Sequence, residues 1–158
     1  MMFVKKLGCA MQSFTIDELL PKKNITELKK RISETIWSDS IGEDTWDYGV
    51  PLSWLRKMAD FWVNEWDWDD VSKEMDRWPH NISMIDGLPI HFIHAEATEP
   101  GAPAIILSHG WPWTFWDFRD VIGPLSRPDD FGFKGQQAFN VVVPSLPGFG
   151  FSAPLRKA

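Results

Sequence analysis

Along the first half of the chain, apolar residues recur every three or four positions. Ile25, Leu28, Ile32 and Ile36 fall on one face of a predicted helix. Asn24 and Glu27 have the spacing of a capping box at its start. Ser38 through Gly49 carries Gly, Asp and Ser and reads as a loop, with Trp46 and Tyr48 expected to pin it to the core. Pro51 suits the first turn of a second helix, whose buried stripe is predicted as Leu52, Leu55, Met58, Ala59 and Trp62. A third helix is predicted to begin between Asp67 and Asp70, where acids favour the positive end of the helix dipole. Trp68, Val71, Met75 and Trp78 then follow at helical spacing, and Pro79 ends the pattern.

After Pro79 the period changes. Ile82 and Met84 alternate with Ser83, Asp86-Gly87 forms a turn signal, and Ile90 to Ala95 continues as a second strand of a hairpin. Glu99 to Pro103 is a turn. Ala104 to Leu107 is apolar on both faces, as expected of a central parallel strand. Thr114 to Leu125 reads as a helix with Phe115, Phe118, Val121 and Ile122 inward, and Ser126 to Gln137 as a surface loop. Val141 to Val143 is another buried strand. The order predicts an α/β fold: a helical N-terminal region, an antiparallel hairpin, then strands near 104–108 and 140–143 parallel to each other. So short a sheet exposes an unpaired edge and an apolar face, and the isolated chain is expected to aggregate or to need a partner.

Composition narrows the function classes. The 158 residues include ten Trp and eleven Phe against one Tyr, ring surface that needs packing partners. A net charge of −6 without a basic stripe argues against nucleic acid as a partner. The one cysteine, Cys9, forms no internal disulfide. No run approaches membrane-spanning length, and the basic pair Lys5-Lys6 is not followed by a signal-peptide core. A cytoplasmic location is the expectation, with residues 1–12 as a flexible tail.

Two junctions stand out as candidate chemistry. His109-Gly110-Trp111-Pro112 follows a buried strand, and ligands of open α/β sheets bind beyond the carboxyl ends of the strands. Gly110 permits a sharp turn, Pro112 fixes the exit and suits a cis bond, and the Trp111 N–H is free to serve as an oxyanion donor. Trp111 also offers a flat apolar wall. A plain strand-ending turn with a packed Trp accounts for the spacing as well, because short Gly/Pro turns are common. The second junction, Pro144-Ser145-Leu146-Pro147-Gly148-Phe149-Gly150-Phe151-Ser152, follows the strand at Val141.

Other groups carry less. His91 and His94, three apart on a strand, point to opposite faces, which suits packing or solvent better than a metal site. His109 could act as a base. Asp67, Asp69 and Asp70 lack EF-hand spacing and read as helix-start acids. Trp54, Trp62, Trp66, Trp68 and Trp78 are expected to pack in the core and at domain interfaces.

Taken together, His109 to Pro112, Pro144 to Ser152, and upstream Leu28 to Trp37, Trp46-Asp47-Tyr48-Gly49-Val50-Pro51-Leu52 and Ile85 to His94 resemble the microsomal-type epoxide hydrolases of the α/β-hydrolase superfamily, over residues 13 to 153. The chain departs from the commonest form at Trp113-Thr114, where the family has Gly-Ser. The resemblance implies a helical N-terminal epoxide-hydrolase domain at 13–79 and the incomplete start of a hydrolase core at 80–158. It implies cofactor-free, metal-free conversion of a small apolar epoxide to a vicinal diol through an Asp ester. It assigns Trp111, through its backbone N–H, to an oxyanion hole, with Gly110, Pro112 and His109 shaping the turn, and Trp111 and Trp113 lining the substrate pocket.

The family's nucleophile lies on a Gly-x-Asp-x-Gly-like elbow after the next strand. No such elbow occurs here, the nearest string being Gly42-Glu43-Asp44-Thr45-Trp46, and there is no Gly-x-Ser-x-Gly. Nucleophile, base and lid tyrosines are therefore expected beyond these residues, and the chain alone is expected to be inactive. A complementary C-terminal half, or a homo-oligomer, is the expected partner. The alternatives are a haloalkane dehalogenase or esterase of the same fold, and a non-catalytic truncated or split fragment.

Overall fold

The computed structural model describes residues 12–39 and 44–153; of the expected tail, only Gln12 lies among the described residues. They form two compact units. One gathers the chain up to Leu19 and from Met75 onward, and the other runs from Leu20 to Glu74. The sequence division at 79/80 thus falls inside the sheet unit, after its core residue Trp78.

The sheet unit holds five strands in the order β1-β2-β3-β5-β4. The hairpin forms as predicted. β2 (His80–Ile85) and β3 (Leu88–Ala95) are antiparallel, with His80 opposite Ile93. Asp86 and Gly87 have φ of 48° and 80°, the doubly positive pair that a two-residue hairpin turn requires. β4 (Ala104–Ile106) and β5 (Asn140–Pro144) are parallel, also as predicted, and β3 pairs antiparallel with β5.

One placement differs. β4 is the edge strand among the described residues, not a central one, and Ile106 is 68% exposed. Apolar side chains on both faces mark a strand built to be covered; they do not say how many neighbours flank it. At the other edge β1 (Gln12–Phe14) pairs antiparallel with β2, and the Ser13 hydroxyl donates to Asn81 Oδ1 at 2.8 Å. Sequence reading placed no strand there, since three residues carry no period. The short helix α1 (Ile16–Leu19) follows, buried at Ile16 and anchored by the Ile16 N–H donating to Asp76.

Trp78, Ile93, Ala95, Phe115, Ile122, Val141 and Val143 form the core. A helical turn at Phe115–Phe118 and α5 (Arg119–Ser126) cover the sheet. Thr114 and Asp117 cap this turn reciprocally, the Thr114 N–H donating to Asp117 at 2.7 Å. Phe115 and Ile122 point inward as predicted, whereas Val121 is exposed, because the tighter first turn rotates the helix face away from it. Within the predicted 126–137 loop, Phe131 places its ring where a side chain on Gly123 would otherwise stand.

The helical unit contains α2 (Lys22–Ser33), α3 (Leu52–Asn64) and α4 (Trp68–Met75). Helix α2 begins earlier than predicted. Pro21 stands at its N-cap, and Asn24 lies inside the helix, donating its N–H to the Pro21 carbonyl at 2.8 Å, so it caps nothing. The helix also ends before Ile36, which is 97% exposed. The Ser33 and Thr35 hydroxyls donate to the Lys29 and Arg31 carbonyls there, a local competition that favours helix termination.

Trp46 and Tyr48 sit on a short turn and are exposed, with Trp46 edge-on to Trp54 at 5.7 Å, so they do not pin that loop into a core. Leu55 and Trp62 in the predicted stripe of α3, and Trp54 and Trp66, are likewise exposed. None of α2, α3 or α4 contains a fully buried residue; three short helices enclose too little volume for one. Helix α4 starts where the acids predicted it, Asp67 accepting from the Asp69 and Asp70 N–H groups at 2.9 and 3.1 Å. It ends at Met75, so Trp78 belongs to the sheet core and not to the helix. Among the described residues no helix is long and apolar enough to cross a membrane.

Candidate active site

Because β4 and β5 are parallel neighbours, their carboxyl ends open onto the same end of the sheet. The chain leaves β4 through His109-Gly110-Trp111-Pro112 and leaves β5 through Ser145-Leu146. The first exit is a tight turn: the Trp113 N–H donates to the Gly110 carbonyl at 2.9 Å, and the Trp111–Pro112 bond is cis. The Trp111 N–H has no acceptor among the described residues. Trp111 is 82% exposed as a residue, and Trp113 is exposed as well.

His109 ties the two exits together. Its ring is buried, edge-on to Phe149 at 5.2 Å. Nε2 accepts from the Leu146 N–H at 3.1 Å, so the proton of the neutral ring sits on Nδ1 and is donated to the Gly110 carbonyl at 3.1 Å. Both ring nitrogens are thereby engaged in holding loops, and His109 is not free to act as a base.

Beneath this lies a polar cluster that sequence reading did not assemble. His80, His91, Ser145 and Ser152 are all buried. His80 Nδ1 is 2.8 Å from His91 Nε2, and His91 Nδ1 is 2.8 Å from the Ser145 hydroxyl. The far nitrogen of His80 meets the Met75 carbonyl at 3.0 Å. The Ser152 hydroxyl accepts from the His91 N–H at 2.9 Å and donates to the Ser145 carbonyl at 2.8 Å. Phe115 and Phe151 stand edge-on to both imidazoles.

In these apolar surroundings burial pushes His91 down to about 3, with the neighbouring His80 adding to the effect. Burial also lowers His80, opposed by its bond to the Met75 carbonyl and by Asp76. A signal for the cluster exists in the pattern: His91 shares a strand face with the buried Ile93 and Ala95, and a polar residue on a core face requires a polar partner.

The remaining singled-out residues do not converge on this site. His94 is on the opposite face of β3 from His91. Asp69 and Asp70 are engaged in their helix, with ion pairs to Lys22 at 3.0 Å and Lys73 at 2.8 Å. Among the described residues there is no group of three or more His, Cys, Asp or Glu placed to hold a metal ion.

A family described as Epoxide hydrolase N terminus matches residues 11–118. The chain belongs to this family. The match takes in the helical unit, the hairpin, β4 and the Gly110–Pro112 turn. A relative from Stigmatella aurantiaca is 38% identical over 133 residues, covering 84% of the chain and 30% of that relative. Epoxide hydrolase 1 of Sus scrofa is 32% identical over 134 residues, 82% of the chain and 30% of its own length. The solved structure of Aspergillus niger epoxide hydrolase superposes with a TM-score of 0.76 at 27% identity, over 94% of the chain and 38% of that structure. The chain therefore spans about a third of the length of the curated relatives it matches. The superposed structure makes the five-stranded sheet a part of the α/β-hydrolase fold.

Proposed function

We propose that this chain is the N-terminal portion of an epoxide hydrolase and contributes one oxyanion donor, the Trp111 N–H, to an active site completed by other residues. The observation that carries this reading is the Gly110–Trp111 peptide. Its N–H is without an acceptor among the described residues, at the carboxyl end of β4, while its carbonyl is bound by both His109 and Trp113. Such a donor, fixed before reaction, is what stabilises a developing oxyanion.

In the proposed cycle an Asp carboxylate oxygen attacks an epoxide carbon, the C–O bond opens, and a lid Tyr hydroxyl protonates the alkoxide. A His paired with an acid then takes a proton from water, whose oxygen adds to the ester carbonyl. The Trp111 N–H meets the resulting oxyanion; collapse breaks the ester C–O bond, the departing diol oxygen takes the hydroxyl proton of the new carboxyl and so restores the carboxylate, and the proton held by the His returns to the tyrosinate. Gly110, Pro112 and His109 shape the turn, and the exposed rings of Trp111 and Trp113 line the apolar pocket. The Asp, the Tyr hydroxyls and the base come from outside these 158 residues, which contain no Gly-x-Asp-x-Gly elbow.

Diol formation from styrene oxide, assayed with the chain alone and with a co-expressed complementary segment carrying that elbow, tests the reading. Turnover is expected only with the complement. Turnover by the chain alone overturns the placement of the nucleophile. A folded complex without turnover favours a non-catalytic fragment.

A further inference from the structure

We infer that His80, His91 and Ser145 form a one-directional hydrogen-bond relay that positions the oxyanion turn, with His91 as its central positioning residue. The inference rests on the hydrolase reading only for what the turn does. The direction of the relay follows from donor and acceptor accounting.

The Met75 carbonyl can only accept, so His80 donates to it from Nε2 at 3.0 Å. A neutral imidazole has one N–H, so His80 Nδ1 accepts, and the 2.8 Å contact is donated by His91 Nε2. His91 Nδ1 is then bare and accepts the Ser145 hydroxyl proton at 2.8 Å. The reverse direction would set a bare His80 nitrogen against the Met75 carbonyl. A cationic ring would place a charge between Phe115 and Phe151 with no carboxylate bonded to it. One neutral arrangement satisfies every group.

The relay ends on the loop that carries Leu146. Ser145 is held to β3 through its hydroxyl and through its N–H, which donates to the His91 carbonyl at 2.8 Å, while its carbonyl accepts from the Ser152 hydroxyl, which itself accepts from the His91 N–H. The next N–H, that of Leu146, donates to His109 Nε2, and this leaves His109 Nδ1–H to bind the Gly110 carbonyl. Carbonyl and N–H of one trans peptide point in opposite directions. Holding the Gly110 carbonyl therefore aims the Trp111 N–H away from His109.

The test is a long-range proton–nitrogen NMR correlation on the chain labelled with ¹⁵N-histidine, repeated on its complex with the complementary segment. The expected spectrum at pH 7 has His80 and His91 as Nε2–H tautomers and His109 as the opposite Nδ1–H tautomer. Either core histidine as an Nδ1–H tautomer or a cation, or His109 as Nε2–H, overturns the relay. Ser145→Ala, which removes only the hydroxyl, is expected to speed amide exchange about tenfold at Leu146 and at Trp113, whose N–H donates to the Gly110 carbonyl, while leaving the Asp86–Gly87 hairpin turn unchanged. Unchanged exchange at Trp113 overturns the positioning role. Neither readout uses turnover, so an inactive complex counts against the hydrolase reading alone.

Discussion

Gly150 shows how little latitude the loop that follows β5 has. Its φ is +47°, and a Cβ built there would lie 2.8 Å from the Ser145 hydroxyl oxygen and 3.4 Å from the Phe115 ring. Gly150→Ala is expected to cost about 2 kcal/mol of stability, from left-handed backbone strain and overpacking together, read as a lowered urea midpoint. The buried histidines add a pH dependence. His91 in the fold sits near 3, below its unfolded value, so the unfolded chain binds more protons between that value and about 6.5. Stability is then complete above about pH 6.5 and falls with acidification by about 1.4 kcal/mol per pH unit for one such group. Asp76, which faces His80, moderates the effect at that ring only. Urea unfolding at pH 7 and pH 5 checks the sign, and a chain more stable at pH 5 would contradict it.

At the scale of elements, what was legible in the sequence was what local chemistry decides. Asp86-Gly87 dictates a hairpin turn, and the Asp67 carboxylate a helix start, without reference to the rest of the molecule. At the start of α2, Asn24 and Glu27 offer a capping pattern that Pro21 pre-empts, one turn too late for the helix that forms. The edge position of β4 was not legible, because strand order depends on partners distant in sequence. The histidine relay was hidden for the same reason: His80 and His91 meet diagonally across the β2–β3 register, and Ser145 arrives from β5. The β4 edge has a practical consequence. Ile106→Lys, placing a charge on an exposed edge position, is expected to lower self-association of the isolated chain without lowering its unfolding midpoint. Light scattering after size exclusion reads the association, and unchanged association would indicate that another surface drives it.

For the whole molecule, the family match and the α/β-hydrolase fold agree, while the sheet unit and the helical unit differ in kind. The sheet unit has a fully buried core around Ile93, Ile122, Val141 and Val143. The helical unit keeps Trp46, Trp54, Trp62 and Trp66 exposed and has no fully buried residue in α2, α3 or α4. One comparison isolates the Trp111 N–H from the Trp111 ring. In the complemented enzyme, Trp111→Phe keeps the backbone donor and Trp111→Pro removes it. Styrene oxide turnover is expected to stay within about tenfold for Trp111→Phe and to fall by a further hundredfold, roughly, for Trp111→Pro. Equal turnover by the two variants would contradict the assignment of the Trp111 N–H as an oxyanion donor.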